Sequence, residues 1–500
     1  MANVKLIDEP LRSQGEFGKK SRWKNNLLAL VALSIFVKIS LVLLPLRQWG
    51  DESETIVTAK LIISGQRLYT QIFNHHGPLA FLNSLAMEFL GVKGTDIALH
   101  RTPVLILEIL LLVAIYNLNS RRDQTVAIVV AGFSALALIA ASLFSLLNTD
   151  TYQSYSALFL GLGLAIWIMP AVESGRTAKV SDTIGGALVG SLPFLAIWYL
   201  PAVLVLFAVA LNKVRSRRWP LFGAAIPAIA FIVSFFTFAS PIGYFTDHVL
   251  VNAIIMPKYR PINLGLFMPS GMEFMLFFCV PIGILGTYLL IFRSSIRKQG
   301  MPRILIVCAL VSFLSRGINV QALPLFVGAL AVLPSSISKV FEWCGTRFRP
   351  EFLKKTWASL ALTTTSVLGL LLILLLASPP GIKLLKYLEI PAKSQFSEYA
   401  AKITLDSDRV LAYPFNNYEY LRAERLPASG NFFYLPWQSD PRLKRFPSPP
   451  IDTCFQIATK HPKLIQIEDS DYWRSYSGCI MKEIRQFYTR IPGTNIYRLR

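Results

Sequence analysis

Residues 27–52 read LLALVALSIFVKISLVLLPLRQWGDE: a twenty-residue apolar run, Leu27–Leu46, holding the single charge Lys38, then Arg47 and the acidic pair Asp51-Glu52. A bilayer core takes about 20 apolar residues per helix, because backbone groups left unpaired in hydrocarbon are costly and a helix pairs its own. Lys19, Lys20, Arg22 and Lys24 precede the run and no small-residue cleavage site follows it, which predicts a retained anchor rather than a removed signal. Lys38 reads as a contact inside a helix bundle. An acidic pair at the mouth of a span is the feature to explain, since a carboxylate at a water–lipid boundary must be solvated, paired or metal-bound.

Outward from this stretch the same pattern recurs at Ile97–Asn117, Thr125–Leu147, Tyr152–Val172, Trp219–Phe238, Gly271–Phe292 and Thr356–Ala377. Thr183–Leu211, broken around Pro201, and Arg303–Pro334, broken around Arg316-Gly317, read as pairs of shorter helices. The expected fold class is therefore an α-helical polytopic membrane protein of about eleven transmembrane helices. Composition agrees: of 500 residues 53% are hydrophobic and 16% charged, with mean hydropathy +0.48, where soluble domains carry roughly 25% charged residues. An ordinary soluble enzyme, a disordered chain and a small disulfide scaffold are excluded.

The net charge of +21 raises the question of nucleic acid, and its distribution answers it. Basic residues cluster in alternate connections, as in Arg121-Arg122, Arg215-Ser-Arg-Arg218 and Lys354-Lys355. That is the positive-inside bias of membrane topology, so no nucleic-acid partner is expected and the N-terminus is placed in the cytoplasm. Residues 1–26 form a basic cytoplasmic segment, 27–378 a transmembrane bundle with a long outer loop at 47–96, and 379–500 an extracytoplasmic α/β domain. In that last part Arg409–Tyr413, Leu464–Ile467 and Asn495–Leu499 have strand character, and Thr453–Lys460 and Ile480–Tyr488 helix character. Cys454 and Cys479 both lie there, where an oxidising compartment permits a bridge.

No phosphate-binding glycine loop, dinucleotide fingerprint, serine-hydrolase elbow or zinc-protease helix motif is present. Chemistry is sought instead in two long outer segments, Arg47–Asp96 and Ala239–Ser270, because structureless connections of that length are uncommon. The first carries Asp51-Glu52, a predicted helix Glu54–Ser64, the sequence Phe73-Asn-His-His-Gly-Pro-Leu79, and a second predicted helix Leu79–Leu90. Asp150, in the short turn Asn148-Thr-Asp-Thr151, is a second carboxylate at the same face, either chemical or a cap for the next helix. Asp51 and Asp150 together can share a divalent cation, or one can act as base while the other positions substrate. His75 and His76 are adjacent rather than at i,i+4, so holding a phosphate or sugar hydroxyl is favoured over zinc. Lys258, Arg260 and Arg316 supply positive charge suited to gripping phosphate.

The ordered set Asp51-Glu52, Ala59…Gly65…Leu68-Tyr69, His76-Gly-Pro-Leu79, Arg101-Thr-Pro103 and Asn148-Thr-Asp150 resembles the polytopic GT-C glycosyltransferases. Within them it is similar to the bacterial and archaeal relatives of protein O-mannosyltransferases and lipid A aminoarabinose transferases. The resemblance implies a bacterial or archaeal cytoplasmic membrane, a polyprenyl-phosphate-linked sugar donor, a lipid, glycan or protein acceptor at the outer face, and inversion at the anomeric carbon. It maps Asp51 to the catalytic carboxylate and Asp150 to the second acidic position, with a divalent ion (Mg, Mn or Zn) as a possible bridge. Glu52 is then a partner of Asp51 or a surface residue, and His76, Arg260 and Arg316 balance the leaving phosphate. Trp198-Tyr199 stand where many relatives have Lys, a departure at the donor phosphate. The competing class is a transporter or flippase of lipid-linked saccharide, against which stand the long first loop, the globular tail and the lack of an evident inverted repeat.

Overall fold

A computed structural model describes residues 13–120, 124–175, 177–259, 278–290, 296–316, 320–347, 379, 386, 388–391, 393–449, 452–468 and 478–500. In chain order the principal helices are α1 (Ser13–Leu43), α2 (Gly50–Ile63), α3 (Leu82–Phe89), α4 (Ile97–Ser120), α5 (Gln124–Ser145) and α6 (Tyr152–Ser174). They continue as α7 (Lys179–Leu195), α8 (Leu200–Leu211), α9 (Arg218–Thr237), a wide-turned α10 (Phe245–Ile255), α11 (Val280–Leu290), α12 (Ile296–Ser312) and α13 (Leu323–Arg347). Among the described residues four helices are long and apolar enough to cross a membrane: Ile97–Leu118, Val126–Ser145, Tyr152–Ser174 and Arg218–Thr237. Five shorter apolar helices accompany them, within α1, at the break into α8, and in α11, α12 and α13. The expected span Thr356–Ala377 lies outside the described residues, as does the first part of Gly271–Phe292.

The bundle core packs Phe36, Leu111, Leu158, Trp167 and Leu330, all almost fully buried. Outward-facing apolar residues such as Phe222, Ile229 and Phe236 remain exposed on α9, as a lipid-facing surface requires. The break expected around Pro201 falls earlier, at Ala196, whose backbone is extended before a tight turn over Ile197–Tyr199. Pro201 instead sits in the first turn of α8, where its missing N–H costs nothing.

A second core lies at the bundle end that carries residues 47–96. It packs Ile56, Val57 and Leu61 of α2 with Phe73, with Val251 and Ile255 of α10, and with Tyr418, Phe432, Phe433 and Trp437. Two close backbone approaches tighten this layer. A Cβ at Gly77 would collide with the carbonyl of Phe194, and one at Gly430 with that of Gln71.

The last hundred residues add α14 (Gln395–Ile403), α15 (Tyr418–Ala423), α16 (Thr453–Lys460) and α17 (Gly478–Phe487) around a four-stranded sheet. Its strands are β1 (Val410–Tyr413), β2 (Leu464–Ile467), β3 (Tyr488–Arg490) and β4 (Ile496–Leu499), in the order β1-β2-β4-β3. β1 and β2 run parallel, and the other pairs are antiparallel. The period of two places Val410 and Ala412 in the second core and Leu411 and Tyr413 in a third, with Ile457, Ile465, Ile480 and Ile484. Tyr488, expected to end a helix, opens β3, because Gly493 with φ +73 turns the chain back into a hairpin with β4. Cys454 and Cys479 form a disulfide that ties α16 to α17, their Cα atoms 5.9 Å apart.

Candidate active site

Helix α2 begins at Gly50, one turn before the expected Glu54, so Asp51 and Glu52 lie in its first turn. Negative charge is favourable there, beside the unpaired N–H groups of the helix start. At 3.6 residues per turn, Asp51 and Glu54 share one side of the helix while Glu52 is rotated by roughly 100°. The three acids accordingly meet different surroundings.

Glu52 is fully buried and bound on both oxygens. Arg101 of α4 donates Nε to Oε1 at 2.7 Å and Nη2 to Oε2 at 2.5 Å. The Asp150 backbone N–H donates to Oε1 at 2.8 Å, and the Tyr418 hydroxyl to Oε2 at 2.9 Å. The same guanidinium donates to the carbonyls of Leu44, Leu46 and Arg47 where the chain leaves α1. Glu52 is therefore not a surface residue; it knots α2, α4, the 148–151 turn and α15 together.

Asp150 is also buried, and it does not cap α6, a role taken by Thr151. Its carboxylate accepts from the Ser84 hydroxyl at 2.7 Å and the Tyr155 hydroxyl at 2.8 Å, with His100 Nδ1 3.7 Å away. Asp51, half-buried, accepts from Gln153 Nε2 at 3.0 Å. Gln153 is thus the residue that steadies Asp51, and Ser84 and Tyr155 those that steady Asp150. The close group of three metal-capable side chains among the described residues is a different one: Glu54, His75 and His76, all buried, with one ligand atom from each lying within 4.8 Å of the others. The pairing of two histidines with Glu54 escapes a reading of the sequence because twenty residues separate Glu54 from His75. Glu54 reads there simply as the start of a helix.

The histidine pair sits in irregular chain after Phe73 and is fixed through its backbone. The His75 carbonyl accepts from His248 Nδ1 and Asn252 Nδ2, both at 2.8 Å, one turn apart on α10. Burial pushes the His248 imidazole down to about 4, so it is neutral and donates to that carbonyl. The Tyr69 hydroxyl donates to the His76 carbonyl at 2.6 Å, and the His76 N–H to Asn74 Oδ1 at 3.0 Å. Asn74 Nδ2 in turn donates to Glu54 Oε1 at 2.8 Å. Rings of Tyr152 and Trp437 flank His76 and His75, at centroid distances of 4.5 and 5.2 Å. Trp198, from the departure noted in the sequence, packs edge-on to Tyr152 and near His248.

Of the expected phosphate-binding cations, Lys258 is mostly exposed and lies 3.6 Å from Asp440. Arg442, which binds the same carboxylate at 2.8 Å, holds Asp440 well below the usual carboxylate range, with Lys258 adding to the effect. Arg260 lies outside the described residues. The backbone of Arg316 closes the turn Phe313–Arg316, and its side chain lies outside the described part.

No protein-family model matches the chain, and no curated protein matches it in sequence. Solved structures do. ArnT from Cupriavidus metallidurans in the apo state is 15% identical and superposes with a TM-score of 0.50 over 96% of this chain and 98% of its own. ArnT from the same organism bound to undecaprenyl phosphate is 14% identical, with a TM-score of 0.50 over 80% of this chain and 84% of its own. The Archaeoglobus fulgidus oligosaccharyltransferase in the apo form is 14% identical over 87% of this chain and 69% of its own, with a TM-score of 0.43. At these identities the likeness to ArnT is one of fold. It bears out, at that level, the GT-C resemblance expected from the ordered motifs between Asp51 and Asp150.

Proposed function

We propose that this chain is a membrane glycosyltransferase that moves a sugar from a polyprenyl-phosphate donor to a lipid, glycan or protein acceptor, with inversion. The observation that carries the reading is Asp51. It is the half-buried carboxylate at the head of α2, steadied by Gln153, on a fold similar to that of a protein solved with undecaprenyl phosphate. The deeper acids at the site, Glu52, Glu54 and Asp150, are buried among protein groups.

In this reading the acceptor hydroxyl oxygen bonds to the anomeric carbon as the bond from that carbon to the donor's phosphate oxygen breaks. The hydroxyl proton passes to Asp51, and the bonding pair leaves with the polyprenyl phosphate. General-base help of this kind is worth about 10²–10⁴ in rate. A phosphate ester leaves already ionised, so it needs charge stabilisation more than a proton. His75 and His76 supply it, directly or through an ion that they hold, with Arg260 and Arg316 as further donors. Lys258 is assigned to the rim with Asp440, and Glu52 and Asp150 become positioning residues that hold α2 against α4 and α6. The wider frame is about eleven spans, a cytoplasmic N-terminus, a bundle over 27–378 and an outer part over 379–500 in a bacterial or archaeal cytoplasmic membrane. The placement of basic residues supports that topology.

The test uses the full chain in lipid nanodiscs with an extracted pool of polyprenyl-phosphate sugars and membrane acceptors, followed by mass spectrometry. Loss of donor with appearance of glycosylated product is expected. Movement of labelled lipid-linked sugar between leaflets without any product would replace the transferase by a transporter.

A further inference from the structure

We infer that Glu54, His75 and His76 form a binding site for a divalent transition-metal ion of the zinc class, and that this ion takes the phosphate of the donor. The second half rests on the transferase reading; the first does not.

The three side chains are 1%, 7% and 3% exposed and come from two elements, α2 and the 74–77 segment. His76 Nε2 lies 3.8 Å from Glu54 Oε1, too far for a hydrogen bond. It is close to the separation of about 3.4 Å that two ligands have when each sits about 2.1 Å from a tetrahedral zinc. The rings of His75 and His76 lie side by side, their centroids 4.1 Å apart. Four side-chain hydrogen bonds hold the backbone that carries them, from His248, Asn252 and Tyr69 and to Asn74. Asn74 also bonds to Glu54, so a single amide sets both the carboxylate and the His76 backbone. Outer partners of this kind orient metal ligands and typically govern affinity by 10–100-fold.

Two imidazoles and one carboxylate are a donor set for zinc, cobalt, manganese or iron rather than for magnesium or calcium. Three protein ligands leave positions open for a further oxygen. Glu54 lies one turn along α2 from Asp51, so an ion held by it sits on the side of the helix that carries the proposed base. There it neutralises charge as the phosphate oxygen leaves the sugar, a task that falls to Arg or Lys where no metal is present.

The experiment strips the nanodisc-embedded full chain with a chelator, then titrates it with Co(II) and, separately, Zn(II). The expected result is one tightly held equivalent per chain by mass spectrometry of metals. The Co(II) absorption should be that of nitrogen and oxygen ligands without thiolate bands, which separates the site from adventitious binding at Cys279 and Cys308. Glu54→Gln and His76→Gln should weaken binding about tenfold or more, and Glu54→Asp, which keeps the charge, should weaken it less. Undecaprenyl phosphate should alter the Co(II) spectrum of the wild type. No stoichiometric binding, or variants that bind as the wild type does, would overturn the site. Binding that undecaprenyl phosphate leaves unperturbed would overturn the phosphate role. One bound equivalent in a chain that transfers no sugar would leave the site standing and remove the transferase reading. Full transfer by stripped protein would leave the transferase standing and remove the ion from it.

Discussion

Glu52 and Glu54 lie two residues apart on one helix, both buried, and they are treated in opposite ways. Glu52 is held by an arginine, a backbone N–H and a tyrosine hydroxyl contributed by α4, the 148–151 turn and α15. Glu54 faces an amide and two imidazoles, whose bonding is adjustable. A fixed guanidinium completes a structural ion pair, whereas imidazole can be proton carrier, metal ligand or hydrogen-bond partner. The difference teaches that burial of charge is not itself a mark of catalysis: the partner decides whether the charge serves the fold or the chemistry.

The sharpest way to break the comparison is at Arg101. Arg101→Met leaves Glu52 buried without its cation, and removing one partner of such a pair costs about 3–5 kcal/mol. Thermal unfolding of the purified variant should show a large fall in Tm or loss of folded protein; a near-native Tm would contradict the structural role. Tyr418→Phe removes one donor from the same carboxylate and should cost about 1–2 kcal/mol, read by the same method. Against these, Glu54→Gln in metal-stripped protein should change stability by about 1 kcal/mol or less, since the amide still accepts from Asn74. A loss as large as that of Arg101→Met would make the two acids equivalent. The smallest effect is at Asp440. Its carboxyl titrates below the unfolded value, so its contribution is complete above about pH 4 and is lost as the pH falls through the folded-state pKa. The Tm gap between wild type and Asp440→Asn should be constant from pH 7 to 5 and narrow below about pH 4; a gap that widens there would contradict the sign.

Much of this architecture is written in runs and periods. The helices at 97–120, 124–145, 152–174 and 218–237 are long, predominantly apolar stretches, and β1, β2 and β4 announce themselves by short apolar segments between polar ones. β3 does not, because three residues are too few to display alternation, and Tyr488 continues the apolar face of the helix before it. Arg101, at the head of an apolar helix, needs a buried partner, a carboxylate or backbone carbonyls, and it has both. Which carboxylate is not legible, because Asp51, Glu52 and Glu54 fall within a single turn and only the start of α2 at Gly50 decides their facing. His75 and His76 are visible as a pair, but their third partner is set by how α2 packs on the 73–77 segment. Long-range packing of that kind leaves no trace in local spacing, and the same holds for Tyr418, an aromatic among many in the tail.

The central claim, that Asp51 acts on substrate while its neighbours hold the site together, is tested most directly by measuring Tm and sugar transfer on the same nanodisc preparations of wild type and Asp51→Asn. Tm values that agree closely are expected, with retained binding of the polyprenyl-phosphate donor and transfer reduced by about 10²–10⁴. Transfer within tenfold of wild type, or a loss of activity that merely follows a loss of folded protein, would contradict it.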